Sequence, residues 1–129
     1  NFGPEFSDYE VEKQLKRSLI SYEKIEKPQK VCAELLTKGL IIGWFQGKME
    51  YGPRALGYRS IFADARDPEM KDKINAAIKF REPFRPFAPI CIDDEKEDYF
   101  DTTTSSPFMT FTVNVKKDKQ KFFLHIIYS

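Results

Sequence analysis

The stretch GKMEYGPRALGYRSI, Gly47 to Ile61, packs three glycines, one proline, three cations and a serine into fifteen residues. Neither the apolar stripe of a helix nor the alternation of a strand calls for that composition, so it reads as a loop that carries chemistry. Gly47, Gly52 and Gly57 can take positive φ or let a ligand approach the main chain, while Pro53 pins its own φ and pushes Gly52 away from the helical region. Such a loop can aim several N–H groups at one concavity. Arg54 and Arg59 add planar forks suited to phosphate or carboxylate, with Lys48 as a third cation and Ser60 as a hydroxyl.

What flanks the loop places it between strands. Leu40 to Phe45, LIIGWF, is a continuous apolar run too short for a typical helix and reads as a buried strand. Arg59 to Asp64, RSIFAD, reads as a second strand, with Arg59 and Ser60 at its entry. Trp44 is more readily a core residue than a platform for a purine.

A second cationic segment, KFREPFRPFAP from Lys79 to Pro89, is stiffened by Pro83, Pro86 and Pro89 and supplies Lys79, Arg81 and Arg85. Between Gln46 and Pro86 nine Lys and Arg stand against six Asp and Glu, although the 129-residue chain carries only +1 overall. The positive excess is therefore local, and an anion is its natural partner. The competing reading is structural: arginines can pair with Glu50, Asp64 or Glu82, and glycines and prolines also mark ordinary turns.

The strings GKMEYGPRALGYRSI and INAAIKFREPFRPFAP resemble the C-terminal region of the O-carbamoyltransferases of nodulation-factor and antibiotic biosynthesis, a likeness running from about Gly3 to about Val115. The resemblance implies an α/β fold, a YrdC-like twisted mixed sheet with packed helices, present here as one partial domain over residues 1–129. It implies binding of ATP, with Mg2+, and of carbamoyl phosphate to form carbamoyl-adenylate. A separate N-terminal domain of the same polypeptide, which holds Fe2+ in that family, then transfers the carbamoyl group to an acceptor hydroxyl. By resemblance Arg54, Lys79 and Arg85 are the primary phosphate and carbamoyl binders, and Lys48, Arg59, Ser60 and Asn75 support them. Forming an acyl-adenylate places negative charge on phosphates, so positioned cations matter more than a general base. Arg54, Lys79 and Arg85 are expected to converge on one anion. The family usually continues past this point with a His-x-Asp-Gly-Thr-x-Arg type segment, whereas this sequence ends at LHIIYS, so part of the nucleotide site, including at least one further arginine, is expected to be missing. A non-catalytic module binding nucleotide or RNA through the same cations is the alternative, with Trp44, Tyr51 and Tyr58 as the nearest stacking residues.

The remaining chain supplies the frame. Ser7 and Glu10 form a capping-box pattern ahead of a helix from Asp8 to about Ser18. Ser21 to Ile25 reads as a short strand. Pro28 opens a second helix to about Lys38, closed by Gly39. Asp67-Pro68 caps a third, running to about Lys79, on which Asn75 and Lys79 would share a face. Phe84, Phe87, Pro89 and Ile90 read as core anchors leading into a strand over residues 88–92. DDEKEDYF reads as a short acidic helix capped by Asp93 or Asp94, and Thr102 to Ser106 as a polar loop. Phe108 to Val115, FMTFTVNV, alternates as a strand with FFLHII as its hairpin partner across the charged turn KKDKQK. Cys32 and Cys91 lie in apolar surroundings without CxxC spacing and read as buried thiols, and the single histidine, His125, leaves no basis for a His/Cys metal cluster. Walker A and GxGxxG patterns are absent. With no apolar run of bilayer length and no signal-peptide pattern, a cytoplasmic location is expected, and the small net charge speaks against broad attraction to nucleic acid or membrane.

Overall fold

In the computed structural model, which describes residues 2–123, the chain mixes short helices with one small antiparallel sheet. Helix α1, Asp8–Arg17, begins as its sequence requires: the Ser7 hydroxyl accepts the Glu10 N–H, and the Glu10 carboxylate accepts the Ser7 N–H at 2.8 Å. Asp8 and Glu10 at its start and Lys16 and Arg17 at its end complement the helix dipole. Helix α2, Pro28–Thr37, takes proline in its first turn and stops before Gly39, whose φ of +76° is left-handed. Its Cys32 is buried.

Strands β1, Ile42–Phe45, and β2, Arg59–Phe62, pair antiparallel with Trp44 opposite Ser60 and Phe45 opposite Arg59. Two aromatic contacts brace this ribbon: Trp44 lies 6.1 Å from Phe62, and Phe45 lies 6.0 Å from Phe6 on the lead-in to α1. The lead-in is also tied down by its backbone. Gly3 N–H donates to the Met49 carbonyl at 3.0 Å and Met49 N–H donates to the Pro4 carbonyl at 3.1 Å.

Beyond β2, the Asp67 carboxylate accepts the Glu69 N–H at 2.9 Å, but helix α3 spans only Met70–Ile74. The following turn, Asn75–Lys79, is wound as a π-helix and ends at Phe80, whose φ of 47° and ψ of 52° are left-handed. Wider winding removes the stacking of residues four apart that an α-helix would give. Asn75 is buried while Lys79 is exposed, so the two do not share a face as expected. Met70 and Ile74 bury the inner side of this element.

The acidic segment forms a 3-10 turn, Asp93–Glu95, running into helix α4, Lys96–Tyr99. Ile92 occupies its cap position and no carboxylate caps it. A small core of Phe100, Val115 and Phe123 closes this end, with Tyr99 edge-on to Phe123 at 6.0 Å.

Several expected strands do not form. Ser21 to Ile25 and residues 88–92 are irregular, as is Phe108 to Val115 apart from one bridge between Val115 and Phe100. Alternation supplies side chains that fit a pleat, but a strand exists only where a neighbour takes its backbone hydrogen bonds. Of the expected hairpin partner FFLHII, Phe122 ends a 3-10 turn, Gln120–Phe122, that begins in the charged turn, and residues 124–127, with His125, lie outside the described part. Phe84 and Ile90 are exposed rather than anchoring, and Cys91 is exposed where burial was expected. Among the described residues no helix is long and apolar enough to cross a membrane.

Candidate functional site

Residues 46–58 connect β1 to β2, and their neck is closed from both sides. Gln46 N–H donates to the Tyr58 carbonyl at 2.9 Å, and the Gln46 side-chain amide donates to the Gly57 carbonyl at 3.0 Å. Gly52 at φ +135° and Gly57 at φ +99° hold backbone conformations that side-chain-bearing residues rarely adopt, which is why glycine stands at these corners.

The loop closes around Glu50, one of two buried polar side chains among the described residues. One carboxylate oxygen, Oε1, accepts the N–H groups of Leu56 at 2.6 Å, Tyr58 at 2.8 Å and Arg59 at 3.3 Å. Burial pushes this carboxyl up, but the N–H donors of Leu56, Tyr58, Glu50 itself and Arg59 outweigh it and hold the group at about 2. Glu50 is therefore ionised at neutral pH. Its other oxygen, Oε2, is buried with no partner among the described residues. The Gly57 N–H goes to the Ser60 hydroxyl at 2.9 Å. The loop's amides thus turn inward, onto Glu50 and Ser60, and the expected concavity of N–H groups for a ligand is not what this loop builds. Glu50 was visible in the sequence only as a possible arginine partner. Asp64 does pair with an arginine, but with Arg66, whose guanidinium holds the carboxyl below its usual range.

The cations behave differently from the amides. Among the described residues the side chains of Lys48, Arg54, Arg59, Lys79 and Arg85 make no hydrogen bond or ion pair. Arg59, Ser60 and Lys79 come together in one cleft of about 420 Å³, walled by Trp44, Phe45 and Ala55. Arg54, although next to Ala55 in sequence, is not among the cleft's lining residues, and neither are Lys48, Asn75 and Arg85, so of the three cations expected to converge only Lys79 lines it. Among the described residues no carboxylate lines this cleft. A second concavity, of about 460 Å³, sets Glu97 and Asp101 against Lys116 and so lacks a positive excess.

Asn75 lies at the centre of the second segment rather than at its surface. Its side-chain amide donates to the carbonyls of Arg85 at 3.1 Å and Pro83 at 3.4 Å, and its Oδ1 accepts the Arg81 Nε–H at 2.7 Å. Arg81 in turn donates to the Pro86 carbonyl at 3.3 Å and lies 4.5 Å over the Phe87 ring. Arg81 and Asn75 are thereby spent on shaping residues 81–87, which leaves Lys79 and Arg85 as the uncommitted charges of that segment. No spacing rule would have separated Arg81 from Arg85, since both sit in the same proline-paced run.

Strand β2 and the π-helical turn, which bring Arg59 and Lys79 to one cleft beside the antiparallel ribbon, define an α and β domain with a cationic cleft. The chain belongs to the carbamoyltransferase C-terminus family, which matches residues 33–128. It is 45% identical over 122 residues to the uncharacterized protein MJ1058 of Methanocaldococcus jannaschii, covering 91% of this chain and 20% of that protein. It is 49% identical over 91 residues to nodulation protein NolO of Bradyrhizobium diazoefficiens, covering 68% of this chain and 17% of that one. Nodulation protein U of Sinorhizobium fredii is 45% identical over 97 residues, with 73% of this chain and 17% of that protein covered. The chain thus spans about a fifth of the length of the curated relatives it matches.

Proposed function

We propose that this chain is the partial, YrdC-like domain of an O-carbamoyltransferase that binds ATP and carbamoyl phosphate and yields carbamoyl-adenylate. The observation that carries the reading is the cleft lined by Arg59, Ser60 and Lys79, in which neither cation's side chain has a partner among the described residues. Unpaired cations grouped at one site repel each other, and a polyanionic ligand relieves that cost.

By atom balance, carbamoyl phosphate, ATP and one water give carbamoyl-adenylate, pyrophosphate and inorganic phosphate. The work assigned to the protein is to hold the phosphates in line and offset their charge. Lys79 and Arg59 hold phosphate within the cleft, and Arg54 and Arg85 act from the glycine loop and from the segment after Lys79. Lys48 and Ser60 support them; Asn75 contributes through the shape of residues 81–87. Trp44 offers an apolar wall to a base. Mg2+, where ATP brings it, is carried on the phosphates: among the described residues no three His, Cys, Asp or Glu side chains group to hold a metal. Transfer to an acceptor hydroxyl belongs to an N-terminal domain of the same polypeptide that carries Fe2+, and the location is cytoplasmic.

The test is exchange of labelled pyrophosphate into ATP that depends on carbamoyl phosphate, measured in a polypeptide that joins this chain to such a domain. Exchange should fall at least about a hundredfold on K79A or R54A, the scale of losing one charge-stabilising donor. Exchange no greater than that of the R54A variant would remove the proposal.

A further inference from the structure

The mechanism leaves one buried, ionised group unused. Glu50 Oε1 receives three backbone N–H groups from residues 56–59, and its Oε2 is buried without a partner among the described residues. An internal carboxylate at the centre of a glycine-rich loop is an odd tenant for a site that attracts anions, because a nearby negative charge opposes the ligand's own. Its position resolves the conflict. Glu50 does not line the cleft, whereas Arg59 does, and Arg59 is held through its own N–H by Glu50. Arg54 lies on the same loop between Glu50 and the amides that Glu50 captures.

We infer that Glu50 is the positioning residue of the cationic loop: it stands in for the anion that a glycine-rich loop would otherwise wrap, and so turns the backbone amides inward and the Arg54 and Arg59 side chains outward. This rests on the functional reading above only in naming what those arginines bind. Three convergent N–H groups on one carboxylate oxygen give the loop one preferred shape before any ligand arrives. Such preorganisation is what lets fixed charges act on a developing anion without reorganising. Ser60 complements it by taking the Gly57 N–H, so four consecutive amides, from Leu56 to Arg59, have internal acceptors. The price in desolvation is met by charge-assisted hydrogen bonds, which are about twice as strong as neutral ones.

The experiment is NMR on the 129-residue chain, unaltered and as E50Q and E50D, with inorganic pyrophosphate as the probe anion. In the unaltered chain the amides of Leu56, Tyr58 and Arg59 should exchange with solvent at least about a hundredfold more slowly than the amide of exposed Tyr51. In E50Q, which keeps the shape but loses the charge, their protection should fall about tenfold. The β1 and β2 amides should keep their protection in that variant. Pyrophosphate affinity should fall with the loop's order, about tenfold. Unprotected amides in the unaltered chain would overturn the inference even if E50Q failed to fold. So would an E50Q chain that bound pyrophosphate as tightly as the unaltered one. If the unaltered chain showed the protected amides and their loss in E50Q but bound no pyrophosphate, the loop role of Glu50 would stand and the anion-binding reading would fall.

Discussion

Lowering the pH should erase the stability difference between the unaltered chain and E50Q. The ordinary value for the carboxyl is 4.5, and in the folded chain it is held at about 2, because the N–H donors overcome the effect of burial. A group whose pKa is depressed by folding contributes stability above its unfolded value and loses it as the pH falls through the folded value. The window therefore runs from about pH 4.5 down to about pH 2. At about 1.36 kcal/mol per unit the full shift is worth ~3 kcal/mol. The loop lies against solvent, which screens the interaction, so ~2 kcal/mol is the working figure at neutral pH. Glutamine mimics the protonated acid, so E50Q should be less stable by that amount at about pH 7 and nearly equal to the unaltered chain at about pH 2. Urea unfolding followed by Trp44 fluorescence measures the difference at each pH. Glu10, Glu12, Asp64 and Asp67 are also held below their ordinary values, but they titrate in both proteins and cancel in the comparison. A difference that stayed constant from about pH 5 to about pH 2.5, or one below about 0.5 kcal/mol at neutral pH, would refute the reasoning.

Replacing Asn75 by alanine removes three side-chain hydrogen bonds, one of them to a guanidinium, from the most buried polar side chain among the described residues. The expected loss is about 3 kcal/mol in denaturant unfolding, and a loss under about 1 kcal/mol would show that residues 81–87 hold their shape without it. In G3A the new Cβ would sit 2.7 Å from the Met49 carbonyl oxygen and 2.8 Å from its Cβ, so the lead-in must lift off. Amide exchange at Met49 should then speed at least about tenfold while α1, capped independently at Ser7, keeps its helicity by circular dichroism. Loss of the α1 signal in G3A would mean the lead-in and the helix are one cooperative unit.

The parts of this molecule that were legible in the sequence are those whose causes lie within a few residues. The Ser7–Glu10 box, Pro28 and Gly39 bracketed α1 and α2 to within a residue or two, because a helix end is satisfied by its immediate neighbours. The apolar run before the glycine loop and the RSIF run after it do form strands, and they pair, but the first, expected to be buried, spans only Ile42–Phe45 and leaves Phe45 exposed. Arg59, Ser60 and Lys79 line one cleft, but of the three cations expected to converge, Arg54, Lys79 and Arg85, only Lys79 is there.

What residue type and spacing could not decide is which polar group faces which way. Arg81 and Arg85 are alike in sequence, yet one is locked to Asn75 and the Phe87 ring and the other has a side chain without a partner among the described residues. Asn75 was read as a supporting ligand residue and Glu50 only as a possible arginine partner, and both are buried side chains bonded to the backbone of neighbouring loops. The alternating FMTFTVNV run carried a strand pattern, and only Val115 found a bridge. By itself, then, the sequence determined the family, the local helices and the charges available. The tertiary structure decided which charges are spent within the fold, because a buried polar group must be satisfied by whatever the chain brings to it from elsewhere, and that meeting is set by packing rather than by spacing.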